Sequence, residues 1–331
     1  MSEQLADSSF APATAVRHRV LMHLRTPFWP DGRPWAVREL PTVAVEDRGP
    51  YLQALGCEVD ARAPLDGNCR VAALWVGSGA ALGMADEELG RLLEDAADRY
   101  DLTGDDGRAA EVTVEAYPGL VNERSLDGLR RCGATRLFVG YRTGSPAEAR
   151  GMGCEVAAEG LPTLGGALEG CPFDIEVLIL VGNPGQSVAS ALESLETALG
   201  FGAVAVDLQA FLLGAGSPLA NERLRHESSW RMDALHRIPS AAERVQIQAE
   251  LGLALQDRGF SQYLPGYWAI PGHECFYRLA RAAGCDVLGF GLGARSRVGD
   301  ATSVNIEDLP RYLEVSGDPE AVTAERWREP A

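Results

Sequence analysis

The chain has 331 residues, 46% of them hydrophobic and 23% charged, with 47 acidic side chains against 30 basic ones and a formal net charge of −17. At roughly 100–200 residues per domain this is one large domain or two ordinary ones, with a core that needs no staples. The acidic balance argues against a duplex-binding surface, because phosphate contacts need a basic face, and it fits a soluble, cytoplasmic protein acting on a small molecule.

Residues 1–16 are small and polar and read as a flexible tail, without the charged start and apolar run of a signal peptide. Residues 20–24 read as a strand and 51–60 as helical. A second strand over 71–76 runs into Gly77-Ser78-Gly79. Residues 86–100 place Leu89, Leu92, Leu93 and Ala96 on one helical face. A third strand covers 111–115, and Asn122 is the N-cap of a helix ending at Arg131. The fourth strand, 136–139, ends at Gly140. The helical signal beyond it is weak, because Gly151, Gly153, Gly160, Gly165 and Gly166 interrupt it. A strand over 175–181 leads into Gly182-Asn183-Pro184-Gly185. A helix over 187–199, a strand over 204–212 and a long helix over 241–257 follow, and the remainder is mixed. The longest apolar stretch, around 177–181, has the length of a strand and is too short to span a bilayer.

Six β-then-α units in succession predict parallel strands with right-handed crossovers, either as a barrel or as an open doubly wound sheet. Both place ligands at the carboxyl ends of the strands. The residues at those ends are His23, Gly77, Ser78, Gly79, Glu115 with Tyr117, Tyr141 with Arg142, Asn183, and Asp207 with Gln209.

All the basic residues are arginine; lysine is absent. An internal aldimine of pyridoxal phosphate and a P-loop lysine are therefore both excluded. The seven cysteines, Cys57, Cys69, Cys132, Cys154, Cys171, Cys275 and Cys285, form no CxxC pair. A zinc ribbon or redox dithiol is not expected, and scattered thiols of this kind read as small buried hydrophobes in a reducing compartment.

Several short motifs occur in a telling order: Glu115-Ala116-Tyr117-Pro118-Gly119, Gly182-Asn183-Pro184-Gly185-Gln186, Pro271-Gly272-His273-Glu274 and Leu288-Gly289-Phe290-Gly291. From about residue 20 to 312 the chain thereby resembles the oxygen-independent coproporphyrinogen III oxidase and heme-chaperone branch of the radical SAM enzymes. The resemblance implies a partial (β/α)6 TIM-like barrel (α/β class) over 17–215, closed by a helical and mixed C-terminal extension over 216–331.

The departures from that branch are chemical. Its members carry CxxxCxxC after the first strand, whose thiolates hold a [4Fe–4S] cluster. The equivalent loop here, from Arg25 through Phe28, Trp29 and Asp31 to Trp35, has no cysteine. The resemblance then implies a protein with no [4Fe–4S] cluster and no adenosyl radical. The glycine-rich S-adenosylmethionine contact becomes Gly77-Ser78-Gly79, the family's acidic contact is matched by Glu115, its glutamine is Arg142 and its fifth-strand aspartate is Leu178. The His-Asn and Tyr-Trp of the heme-related members become Tyr277-Arg278 and Arg281-Ala282, which argues against porphyrin chemistry.

Each candidate residue has two readings. Gly77, Ser78 and Gly79 are a backbone cradle for a ligand or a tight turn. Glu115 is a base or ammonium contact, or a carboxylate paired inside the barrel mouth. Arg142 holds a substrate carboxylate or pairs with Glu115. Asp207 and Gln209, two apart, share one face of their strand, toward the pocket or toward the helices. His23 is a base or a packed histidine. Trp29 and Trp35 stack on a flat ligand or plug the space of the missing cluster. Tyr117, Tyr141 and Tyr277 complete the expected substrate pocket, and no metal site is expected.

The expected function is S-adenosylmethionine binding with polar methyl transfer to a small molecule of specialised metabolism. Glu115, His23 and Asp207 are the candidate bases, and the cofactor contacts are Gly77, Ser78, Gly79, Glu115, Arg142 and Gln209. The alternative is an inactive scaffold, a partner subunit or a small-metabolite binder. No nucleic-acid or membrane partner is expected; a homo-oligomer or a pathway-enzyme partner stays open.

Overall fold

The computed structural model describes residues 18–30, 41–67, 69–84, 86–103, 107, 109–212 and 237–328. Trp35 and the 215/216 border between barrel and extension lie outside the described residues.

Six strands form the frame: β1 (His18–Arg25), β2 (Cys69–Gly77), β3 (Glu111–Ala116), β4 (Arg136–Arg142), β5 (Asp174–Val181) and β6 (Ala203–Ala210). They pair in parallel in sequence order. Helices α1 (Arg48–Asp66), α2 (Asp86–Arg99), α3 (Glu123–Arg131), α4 (Pro146–Gly151), α5 (Glu155–Leu168) and α6 (Val188–Gly200) return the chain between them. The barrel is partial because β1 and β6 do not pair with each other. The free edge of β6 takes β8 (Tyr267–Ala269) of an antiparallel hairpin with β7 (Ser261–Leu264). The free edge of β1 takes β9 (Asp286–Phe290) in parallel. An antiparallel ribbon then extends the sheet through β10 (Arg295–Val298), β11 (Ala301–Asn305) and β12 (Thr323–Arg328). The remaining α-helices among the described residues are α7 (Ala241–Asp257), α8 (Phe276–Ala282), α9 (Leu309–Val315) and α10 (Pro319–Val322).

Helix starts follow local chemistry. The Asn122 side chain accepts the Ser125 N–H while Ser125 Oγ accepts the Asn122 N–H, closing a capping box at α3. Ser187 with Ser190 and Ser240 with Glu243 do the same at α6 and α7. Alternation along the strands separates two cores. Val20, Met22 and Leu24 face the helices, with Leu55 and Val59 of α1. Leu21, Ala73, Trp75, Phe138 and Val287 face inward and enclose Cys275, Tyr277 and Ala280 around α8.

The C-terminal extension is locked to α1 by buried polar groups. Glu58, fully buried, accepts from Tyr312 Oη at 2.7 Å, Asn305 Nδ2 at 2.8 Å and the Gly291 N–H at 2.8 Å. Tyr51 Oη donates to the Arg25 carbonyl at 2.7 Å and accepts the Leu292 N–H at 3.2 Å.

The glycine-interrupted segment after β4 forms α4 and α5. A glycine there answers a close approach rather than a break: a Cβ on Gly160 would collide with the backbone of Gly119, and one on Gly119 would collide with Val156. We expect Gly160→Ala to destabilise the protein by about 1–3 kcal/mol through overpacking. A lowered urea midpoint would show this; an unchanged midpoint would contradict the close approach.

Candidate functional site

Helix α8 lies inside the barrel, and charge holds it there. The Glu111 carboxylate, at the start of β3, accepts the Phe276 and Tyr277 N–H groups at 3.1 and 3.0 Å. Arg278 sends Nε to Glu176 of β5 at 2.9 Å and a terminal nitrogen to Asp207 of β6 at 3.2 Å. Its guanidinium also lies 4.8 Å from the Trp75 ring centroid, 5.0 Å from that of Phe138 and 4.4 Å from that of Tyr267. Below it, Arg136 joins Glu111, Asp174 and Glu176 at 3.4, 3.1 and 3.8 Å.

Above α8 opens a cavity of about 660 Å³. Its walls are aromatic: Trp75 packs against Phe138 and Tyr277 with centroids 5.3 and 5.4 Å apart. Tyr267 and Trp29 add two further rings, and Arg281 and Gln209 reach the cavity from α8 and β6. Tyr277 is 4% exposed, and its hydroxyl meets no hydrogen-bond partner among the described residues.

Glu115, His23 and Ser78 meet at the upper end of the same cavity. Glu115 accepts from Trp75 Nε1 at 2.7 Å and from the Gly79 N–H at 3.1 Å, with the Ser78 N–H as a third donor. Burial nevertheless raises its pKa, and those donors only partly oppose the shift. A Cβ on Gly77 would strike the Glu115 side chain, and one on Gly79 would strike the Thr26–Phe28 backbone. The glycines are thus required by the chain's own packing, and the donors of this turn point at Glu115. Ser78 has φ +70°, a left-handed conformation that costs energy outside glycine. Its Oγ lies 3.1 Å from His23 Nε2. Desolvation, with Arg25 and Arg281 adding to it, pushes His23 down to about 3. His23 is therefore a neutral hydrogen-bonding group near neutral pH and not a cationic acid.

Asp207, 1% exposed, is raised to about 7 by desolvation and the neighbouring Glu176, against the pull of Arg278. Gln209 Nε2 donates to it at 2.7 Å. Both side chains face inward; Gln209 lines the cavity, whereas Asp207 does not and is engaged by Arg278 and Gln209. Arg142, with φ +63°, closes β4 beside the Tyr117 and Trp29 rings, 5.0 and 6.0 Å away. Tyr141 is not part of this cavity: it packs edge-on to Phe201, and its hydroxyl donates to the Ser194 carbonyl of α6 at 3.2 Å. Neighbours on a strand face opposite sides, so placing Arg142 at the rim sends Tyr141 to the helices. Asn183 is fully buried in its turn, outside the cavity. Trp75, Phe138, Arg278 and Arg281 escaped singling out as pocket residues, although the inward register shared by positions 73, 75, 136 and 138 carried a signal for the first two.

The sequence after β1 offers no thiol for a [4Fe–4S] cluster: the first cysteine is Cys57, on α1, and residues 31–40 of that loop lie outside the described residues. Among the described residues, no group of three His, Cys, Asp or Glu side chains is arranged to hold a metal.

No family model matches the chain. It is 27% identical over 279 residues to the heme chaperone HemW of Mycobacterium tuberculosis, covering 80% of this chain and 65% of that protein. It is 23% identical over 266 residues to the heme chaperone HemW of Bacillus subtilis, covering 80% and 67%. The chain thus spans about two thirds of the length of these relatives. The solved structure of the radical SAM enzyme coproporphyrinogen III oxidase (HemN) from Escherichia coli superposes with a TM-score of 0.76 at 20% identity, over 95% of this chain and 72% of that one. The chain resembles the coproporphyrinogen III oxidase and heme-chaperone branch of the radical SAM superfamily, and it has that α/β fold. These relatives, named for heme and coproporphyrinogen, overturn the expectation of polar methyl transfer in specialised metabolism. They also speak against the exclusion of porphyrin chemistry drawn from Tyr277-Arg278 and Arg281-Ala282. No helix among the described residues is long and apolar enough to cross a membrane.

Two measurements test the electrostatics. Arg278→Met strands Asp207 and leaves Glu176, also 1% exposed, with Arg136 alone, and breaking a buried pair costs about 3–5 kcal/mol; chemical denaturation should reveal the loss, and a wild-type midpoint would refute the clamp. Asp207 releases its proton near 3.8 when unfolded and near 7 when folded, so the folded state binds more protons in between. Its contribution therefore makes stability fall as pH rises from about 4 to about 7, and level off above. Asp207→Asn should flatten that fall in denaturation midpoints taken across the window; an unchanged slope would contradict the assignment.

Proposed function

We propose that this chain binds a heme-type tetrapyrrole in the mouth of the barrel. The observation that carries the reading is the ring wall of Trp75, Phe138, Tyr267 and Tyr277 around a cavity of about 660 Å³. Flat apolar walls match a planar macrocycle, and the volume falls within the ~300–1,000 Å³ common for ligand sites. The heme chaperones and the coproporphyrinogen III oxidase among the relatives support the same ligand class.

S-adenosylmethionine is the second ligand of this proposal. Glu115, facing the cavity, is an acceptor for its ammonium group, and His23 is a neutral partner beside it. The missing thiols after β1 lead us to place no iron–sulfur cluster there, so the proposed role is tetrapyrrole binding and not one-electron oxidation.

Titration with hemin, followed by its Soret band, tests the reading. A saturable shift at one hemin per chain is the expected result. Trp75→Ala should weaken binding about tenfold, equivalent to ~1.4 kcal/mol. Absence of a saturable shift in the wild-type protein would refute the proposal.

A further inference from the structure

Among the arginines of the barrel interior, Arg136 and Arg278 are each neutralised by carboxylates. Arg281 also faces the cavity, yet no carboxylate among the described residues lies within ion-pair distance of it. It sits four residues after Tyr277 on α8, so the two side chains share one helical face, with Cβ atoms about 5–6 Å apart. Tyr277 brings to that face a buried hydroxyl with no partner among the described residues. Its phenol is pushed up to about 12 by desolvation, so it remains a donor. A charged donor and a neutral donor thus converge on one wall, while the acid of the cavity, Glu115, is engaged by Trp75 and Gly79 at the other end.

We propose that Arg281 and Tyr277 form a carboxylate subsite that selects planar ligands carrying an acidic side arm. In the terms of the function proposed above, on which its natural ligand rests, the subsite takes a propionate of the macrocycle. An arginine fork pairs with a carboxylate through two charge-assisted bonds, and the phenol O–H supplies a third. A ligand without the carboxylate would leave the buried Tyr277 hydroxyl unpaired and forgo the ion pair with Arg281, which is how a polar site rejects an analogue.

The test compares hemin with hemin dimethyl ester, and 1-pyrenebutyrate with its methyl ester, on the full chain. Wild-type protein should bind each acid about tenfold more tightly than its ester. Arg281→Ala should remove that preference by weakening the acids alone, and Tyr277→Phe should reduce it about threefold. Arg281 is exposed, so its truncation should leave the thermal midpoint unchanged. Equal affinity of acid and ester in the wild type, or equal weakening of both by Arg281→Ala, would overturn the subsite. If neither hemin compound binds while pyrenebutyrate still beats its ester through Arg281, the tetrapyrrole reading fails and the subsite stands. If no probe binds, both fail.

Discussion

A helix inside a barrel must bring its polar backbone and side chains into a space that water leaves, and here one guanidinium makes that tolerable. Arg278 satisfies a carboxylate on β5 and another on β6 while stacking among Trp75, Phe138 and Tyr267. Burying one charge alone would be prohibitive; burying a cation between two acids is acceptable only with close geometry. Those distances fix α8, and α8 forms the floor and one wall of the cavity. The ring wall, the unpartnered Tyr277 hydroxyl and the reach of Arg281 are all consequences of where Arg278 is held.

The upper end of the cavity is built on a different constraint. Glu115 lies so close to Gly77 that no Cβ is allowed there, and it gathers three donors from the following turn and Trp75. The strained Ser78 conformation and the contact with a neutral His23 belong to the same knot. The turn thus serves the protein's own carboxylate, which is reason enough for Gly77 and Gly79.

Much of the frame was legible in the sequence. All six parallel strands, the helix of α6 and the capped start of α3 follow from periodicity and from Asn122. The helix α5 was obscured because Gly160 reads as a breaker, whereas it permits contact with Gly119. The added strands β9 to β12 are short; β9 pairs with β1, far away in sequence, and β10 to β12 form a ribbon of short neighbouring strands whose runs of four to six residues carry little pattern. At the site, Glu115, His23, Ser78, Asp207 and Gln209 were visible as strand-end residues. Tyr141 was misplaced by one step of strand alternation, and Arg278 and Arg281 were hidden because a helix near the C-terminus supplies them to strands far upstream. Positions 277, 278 and 281 read in the sequence only as motif losses, yet they place a phenol and two guanidiniums at the cavity.

Amide hydrogen exchange, with and without hemin, tests most directly whether α8 and the ring wall receive a planar tetrapyrrole. Slowed exchange is expected around the cavity lining, at residues 75–79, 138, 267 and 276–282, with α3 and β12 unchanged. Protection at α3 or β12, or none at α8 while hemin is bound, would contradict it.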